Sequence, residues 1–98
     1  MMKILVLGGT GGQGRYLVPE LIKKGYSVDV VSLDEKESDN PDLKFIKADA
    51  YEIPFLEGIL KNKYDAIVDF LDYATEKFRE RYELFLSNTN HYIFWNYL

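Results

Sequence analysis

The sequence predicts an α/β fold: a single three-layer domain with a parallel sheet of about five strands, in the order 3-2-1-4-5, and helices on both faces. Three observations predict it. Short apolar runs alternate along the 98 residues with segments whose apolar positions recur at helical spacing. The first run, Ile4 to Leu7, ends in a glycine-rich turn that leads straight into the first helical segment. No linker or internal repeat divides the chain, and its length suits one domain with one core. Strands alternating with helices are joined by right-handed crossovers, and these place helices on both faces of a parallel sheet.

Each element has its own signal. Ile4, Leu5, Val6 and Leu7 form a continuous apolar run, as a strand buried on both faces requires. From Arg15 to Lys24, Leu17, Val18, Leu21 and Ile22 share one helical face, Lys23 and Lys24 suit the negative end of the helix dipole, and Gly25 is the stop. Pro19 lies inside this segment and removes one donor. Ser27 to Leu33, with Val28, Val30 and Val31, reads as a second strand, and the polar stretch Asp34 to Asp42 as a surface loop. Leu43 to Ala48 gives a third strand. Ile53, Leu56, Ile59 and Leu60 give a helical stripe that Gly58 weakens. Tyr64 to Leu71 reads as the fourth strand. Phe78, Tyr82, Phe85 and Leu86 mark a last helix behind Thr75 as a candidate N-cap, and His91 to Trp95 reads as the fifth strand.

Composition narrows the function. With 47% hydrophobic and 15% aromatic residues the chain carries enough apolar surface to fold. A net charge of -4 argues against a nucleic-acid partner, which would need a basic face. The aromatic cluster Tyr92, Phe94, Trp95 and Tyr97 lacks basic neighbours and reads as sheet core or edge rather than a base-stacking platform. Without cysteine there is no disulfide, thiolate ligand or thiol nucleophile, and the expected compartment is cytoplasmic. His91, the lone histidine, reads as structural, so no metal site is expected. No apolar run is long enough to span a membrane, and no signal peptide is legible at the N-terminus.

The chemistry is written in the turn. Gly8, Gly11 and Gly14 form G-x-x-G-x-x-G between a predicted strand and a predicted helix. A pyrophosphate must approach such a backbone closely, so side chains are unwelcome there, and the helix start offers unpaired N–H groups and a positive dipole end. Gly12 and Gln13 are the candidate donors. The expected ligand is a dinucleotide; a tight strand-to-helix turn with no ligand is the alternative.

The segment VLGGTGGQGRYLVPEL resembles the opening of the extended short-chain dehydrogenase/reductase family, the NAD-dependent epimerases and dehydratases. The resemblance continues through Lys47-Ala48-Asp49-Ala50, through Asp65 to Leu71, and through His91-Tyr92-Ile93-Phe94. It implies a Rossmann-type domain binding NAD or NADP. It also implies cofactor contacts at Asp49 and Ala50 beside the adenine, and at Phe70 and Leu71 beyond strand four. The family's ribose-binding acid falls near Ser32, with Asp34 two positions on; no Lys or Arg follows strand two closely enough to make an obvious 2′-phosphate site, although Lys36 or Arg15 could reach if the loop folds back, so NAD is favoured over NADP.

Three departures qualify these implications. The ribose slot itself holds no acid, Leu71 and Asp72 replace a usual small pair, and Trp95-Asn96-Tyr97-Leu98 stands where small hydroxyl residues are expected. The family's catalytic Ser or Thr and its Tyr-x-x-x-Lys pair would lie beyond residue 98. Tyr73 and Lys77 carry the same spacing after strand four instead of strand five, a chance match in a chain with eight tyrosines. The expectation is therefore an N-terminal cofactor-binding part of an epimerase- or dehydratase-like enzyme, with no complete catalytic set of its own. A non-catalytic dinucleotide sensor and a truncated remnant are the alternatives. Asp49 has a second reading as the start of a turn, and Asp34 a second reading as a loop acid. Self-association through the fifth-strand edge is expected, because an unpaired edge invites pairing.

Overall fold

A computed structural model of the chain describes residues 2–8, 14–70, 75–89 and 91–94; the side chains of residues 75–80, 91, 93 and 94 are not included. The elements run β1 (Lys3–Leu7), α1 (Gly14–Lys23), β2 (Ser27–Ser32), β3 (Leu43–Lys47), α2 (Ile53–Ile59), β4 (Ala66–Asp69), α3 (Thr75–Asn88) and β5 (His91–Phe94). All paired strands are parallel. Strands β1 to β4 take the predicted order 3-2-1-4, and the four-residue β5 lies outside β4, pairing Ala66 with His91 through Asp69 with Phe94.

Strand alternation divides the core into two layers. Leu5 and Leu7 of β1 face one way with Val31 and Ile67, and meet Leu56, Ile59 and Leu60 of the α2 region and Phe85 of α3. Ile4 and Val6 face the other way with Val28, Val30, Ala66 and Val68, and meet Val18 of α1, with Leu17, Leu21 and Ile22 alongside. Successive side chains of a strand point to opposite faces, so the unbroken run Ile4–Leu7 feeds both layers at once. This is the three-layer arrangement that the alternation of strands and helices implied.

The helix ends follow from local chemistry. Gly25 takes φ of 87°, its N–H donates to the Ile22 carbonyl, and the Tyr26 N–H reaches back to the Leu21 carbonyl, a Schellman stop. Pro19 sits in the second turn of α1 with its ring exposed, where its missing N–H leaves the Arg15 carbonyl without a helical donor. The second helix is only seven residues long, opens with Pro54 in its first turn, and closes through a 3-10 turn at Leu60–Asn62.

Several expected boundaries shift. Strand two ends at Ser32 and leaves Leu33 70% exposed. Strand three ends at Lys47, and Ala48 begins the bend that follows. Strand four is shorter at both ends than Tyr64–Leu71: the buried Tyr64 precedes it and donates its hydroxyl to Asp29 Oδ2 at 2.6 Å, pinning the entry to β4 beneath β2. The stripe expected on the last helix needs a correction. Arg81 and Phe85 face inward, whereas Tyr82 and Leu86 are nearly half exposed. Phe85 is buried as expected, but one residue advances a helix by ~100°, so seating Arg81 beside it turns Tyr82 and Leu86 toward solvent. Trp95 and the side chains of Phe78 and His91 lie outside the described residues.

Candidate functional site

In an open parallel sheet, ligands bind beyond the carboxyl ends of the strands, where the strand order reverses. Here β1 is that point, with β2 on one side and β4 on the other. Its last residue leads into Gly8, which takes φ of 77°, a conformation that side chains resist, and donates its N–H to the Val31 carbonyl at 2.8 Å. On the other side, Phe70 donates its N–H to the Leu7 carbonyl at 3.0 Å. The turn is thereby fastened to both neighbouring strands at its base.

A pocket of ≈180 Å³ opens beside Gly8. Val31, Ser32, Leu33 and Asp34 form the wall at the end of β2, and Ala48, Asp49, Ala50 and Tyr51 form the wall at the end of β3. Leu33 and Tyr51 are large, apolar and substantially exposed, at 70% and 47%. Both walls are shaped by short hydrogen-bonded turns. The Asp34 N–H donates to Ser32 Oγ at 3.2 Å, and the Tyr51 N–H donates to Asp49 Oδ1 at 2.9 Å, with the Glu52 N–H on the Asp49 carbonyl at 3.2 Å. Beyond the pocket, Lys47 Nζ lies 4.0 Å from Glu35 on the exposed surface.

The structure therefore brings together Gly8, Asp34, Asp49 and Ala50 of the candidates read from sequence. Gly14 is buried as the first residue of α1. Phe70 packs against the α1-side core at the end of β4 and is not among the residues lining the pocket. Gly11, Gly12, Gln13 and Leu71 lie outside the described residues, as does Tyr73. The turn-forming reading of Asp49 has a partner in the Tyr51 N–H. Sequence reasoning missed Leu33, read as the last residue of strand two, and Tyr51, one residue beyond Lys47–Ala50; the period-two alternation of the strands gave no reason to select them.

A larger open hollow of ≈310 Å³ lies at the opposite, amino end of the sheet, against Lys63, Asp65 and Thr89. Its polar groups bond to the protein itself. Thr89 Oγ1 donates to the Asp65 carbonyl at 2.9 Å, and Asn88 Nδ2 donates to the Leu84 carbonyl at 2.8 Å. Size alone does not make it the site, since it lies away from the strand ends that bind ligands in such sheets.

Two charged residues missed by sequence reasoning are buried behind the β3 wall. Asp69, the last residue of β4, is 0% exposed and accepts the Tyr92 hydroxyl at 2.8 Å. Arg81 is 2% exposed and donates to the Ala50 carbonyl. Burial, and then the neighbouring Asp69, push the Tyr92 hydroxyl pKa well up, against a smaller opposing pull from Arg81. Burial also raises Tyr64, with the bond to Asp29 adding to the shift. Both hydroxyls thus stay protonated in the folded protein beyond the pH of about 10 at which unfolded tyrosine ionises. Their contribution to stability is complete below that pH and is lost as the pH rises above it, because the unfolded chain releases its protons first. The urea midpoint is accordingly expected to fall as the pH is raised beyond about 10, with a shallower fall in Tyr64→Phe; an equal fall in that variant would remove Tyr64 from the explanation.

Among the described residues, no group of three or more His, Cys, Asp or Glu side chains could hold a metal ion, and no helix is long and apolar enough to cross a membrane.

The comparisons agree with this geometry. The family model of the NAD dependent epimerase/dehydratase family matches residues 4–93. UDP-glucose 4-epimerase of Lactobacillus helveticus is 34% identical over an alignment of 77 residues that covers 74% of this chain and 23% of that protein. This chain thus spans about a quarter of the length of that curated relative. A candidate epimerase of Bacteroides thetaiotaomicron superposes with a TM-score of 0.74 at 21% identity, over 95% of this chain and 46% of the other. A short chain dehydrogenase of Leptospira borgpetersenii, solved with bound NAD+, superposes with a TM-score of 0.63 at 19% identity, over 88% of this chain and 43% of the other. At these identities the two structures speak for the fold.

Proposed function

The chain belongs to the NAD dependent epimerase/dehydratase family, and on that premise we propose that it is the NAD(P)-binding part of an epimerase- or dehydratase-like enzyme acting on a sugar nucleotide or a similar hydroxyl substrate. The observation that carries this is the convergence of Gly8 with the two apolar-lipped walls at the carboxyl ends of β1, β2 and β3. These residues fit the adenosine end of a dinucleotide. A flat purine suits a slot between Leu33 and Tyr51, where its faces meet apolar surface and its edge meets polar turns. On this reading the Asp34 carboxylate, which lines the pocket, accepts from the ribose hydroxyls. Asp49 and Ala50 likewise border the base on this reading, Ala50 through its backbone, and Phe70 and Leu71, which follow β4 in the sequence, are further contacts implied by family membership.

On this reading glycine at positions 8, 11 and 14 of the sequence leaves room for the pyrophosphate, and Gly12 and Gln13, which precede Gly14, are its candidate N–H donors. When bound, the nicotinamide supplies hydride transfer to and from a hydroxyl carbon. The residues of this chain bind and orient; the choice of substrate rests on family membership. NAD is favoured over NADP because the walls carry Asp34 and Asp49, whose charge opposes a 2′-phosphate, while Lys47 lies next to Glu35.

Calorimetric titration with NAD+, NADP+ and ADP-ribose tests the proposal. Saturable binding of NAD+ and ADP-ribose, with NADP+ weaker, is the expected result; no heat from any of the three at millimolar ligand would overturn it.

A further inference from the structure

Arg81 stands where a charged side chain is costly. It faces inward from α3 at 2% exposure, with its guanidinium 5.5 Å from the centre of the Phe85 ring. A buried guanidinium loses its water, and an apolar side chain of similar volume fills such a place with less penalty. What an apolar side chain lacks is a donor. The guanidinium donates to the Ala50 carbonyl and lies 5.6 Å from the centre of the Tyr51 ring, so one side chain of α3 grips two successive residues of the pocket wall.

The other side of this cluster is fixed to the sheet. Asp69 ends β4 fully buried and holds the Tyr92 hydroxyl of β5 at 2.8 Å, and the Tyr92 ring packs on Phe85 with centroids 4.8 Å apart. The wall at Asp49–Tyr51 is thus joined, through Arg81 and Phe85, to the strand ends β4 and β5. From its own side the wall is held by the turn bonds at Asp49, by the Ala48 N–H on the Ser32 carbonyl at 2.9 Å, and by the burial of Ala50.

We propose that Arg81 is a positioning residue for the nucleotide: it holds the Ala50 carbonyl and the Tyr51 ring in place, so that the wall after β3 is set before ligand arrives. The proposal rests on the reading of that pocket as the adenosine site. Arg81 touches no ligand itself. Its effect passes through the wall, and preorganising a wall raises affinity by removing the cost of ordering it on binding.

The test uses Arg81→Met, which keeps much of the volume without the donor, and Arg81→Lys, which keeps the charge as a single point instead of a planar fork. Backbone amide exchange is followed in both variants, and ADP-ribose is titrated at a temperature at which circular dichroism shows them folded. The Tyr51 and Glu52 amides are expected to exchange about tenfold faster relative to those of Leu5, Val30 and Ile67, and ADP-ribose affinity to fall about tenfold in Arg81→Met, less in Arg81→Lys. If Arg81→Met fails to fold, Arg81→Lys carries the same comparison.

Exchange that is unchanged at Tyr51 and Glu52, or that rises equally in the strands, overturns the proposal. So does local loosening with undiminished ADP-ribose affinity. Absence of ADP-ribose binding in the wild type would overturn the pocket assignment instead, and with it the ligand half of the proposal; the exchange data alone would then decide whether Arg81 holds the wall.

Discussion

Gly8→Val is expected to abolish dinucleotide binding while leaving a folded protein. The backbone at Gly8 has φ of 77°, where a residue with a Cβ is strained by about 1–2 kcal/mol and a β-branched one is the least tolerated. The strain falls where β1 ends, at a residue hydrogen-bonded to Val31 and bordering the pocket. Two outcomes follow from one substitution. Stability falls by the strain, which a domain stable by roughly 5–15 kcal/mol can absorb. Affinity for NAD+ falls by at least about a hundredfold, equivalent to about 2.7 kcal/mol, because the turn either shifts away from its binding conformation or presents a branched side chain to the phosphates. Gly8→Ala, which adds a single methyl group, is expected to lie between. Calorimetry for binding and urea unfolding for stability separate the two effects; wild-type affinity in Gly8→Val would show that the turn does not hold the ligand.

The largest loss of stability is expected at Phe85→Ala. Phe85 is fully buried, belongs to the layer shared by Leu5, Leu7, Leu56 and Ile67, and packs against the Tyr92 ring. Removing a buried phenyl group costs its transfer free energy and leaves a cavity, together about 3–5 kcal/mol. In a domain of this size that lowers the melting temperature by more than about 10 °C. Leu86→Ala, one position along the same helix, is the control. Leu86 is nearly half exposed, so its loss is expected to stay within about 0.5–1 kcal/mol. Comparable losses at the two positions, measured by thermal and urea unfolding, would contradict the inward face assigned to α3.

The contrast between these two residues also marks what the sequence could reveal. Ile4–Leu7 announced a strand buried on both faces because four successive apolar residues leave no polar side. Gly25 announced a helix stop because a left-handed residue there closes the Schellman bonds. Gly8 announced a turn intolerant of side chains, and its positive φ is the physical form of that signal. Arg81 and Asp69 announced nothing. A charged residue in an amphipathic helix is ordinarily read as its solvent face, and only tertiary packing shows that the inward slot beside Phe85 is filled by a guanidinium. Leu33 and Tyr51 were illegible for a different reason: each is the first exposed apolar residue after a strand or bend, and only the parallel register of β2 with β3 brings the two loops to one pocket. Local chemistry predicted the scaffold and the turn; the walls depend on which strand ends are neighbours.

The most direct test of a dinucleotide site at this end of the sheet is amide chemical-shift mapping of the chain titrated with NAD+. The shifts are expected to concentrate at Gly8, Gly14, Leu33, Asp34, Asp49 and Tyr51, and to leave Lys63, Asn88 and Thr89 at the opposite end unmoved. Saturable shifts confined to Lys63, Asn88 and Thr89, or none anywhere at millimolar NAD+, would contradict it.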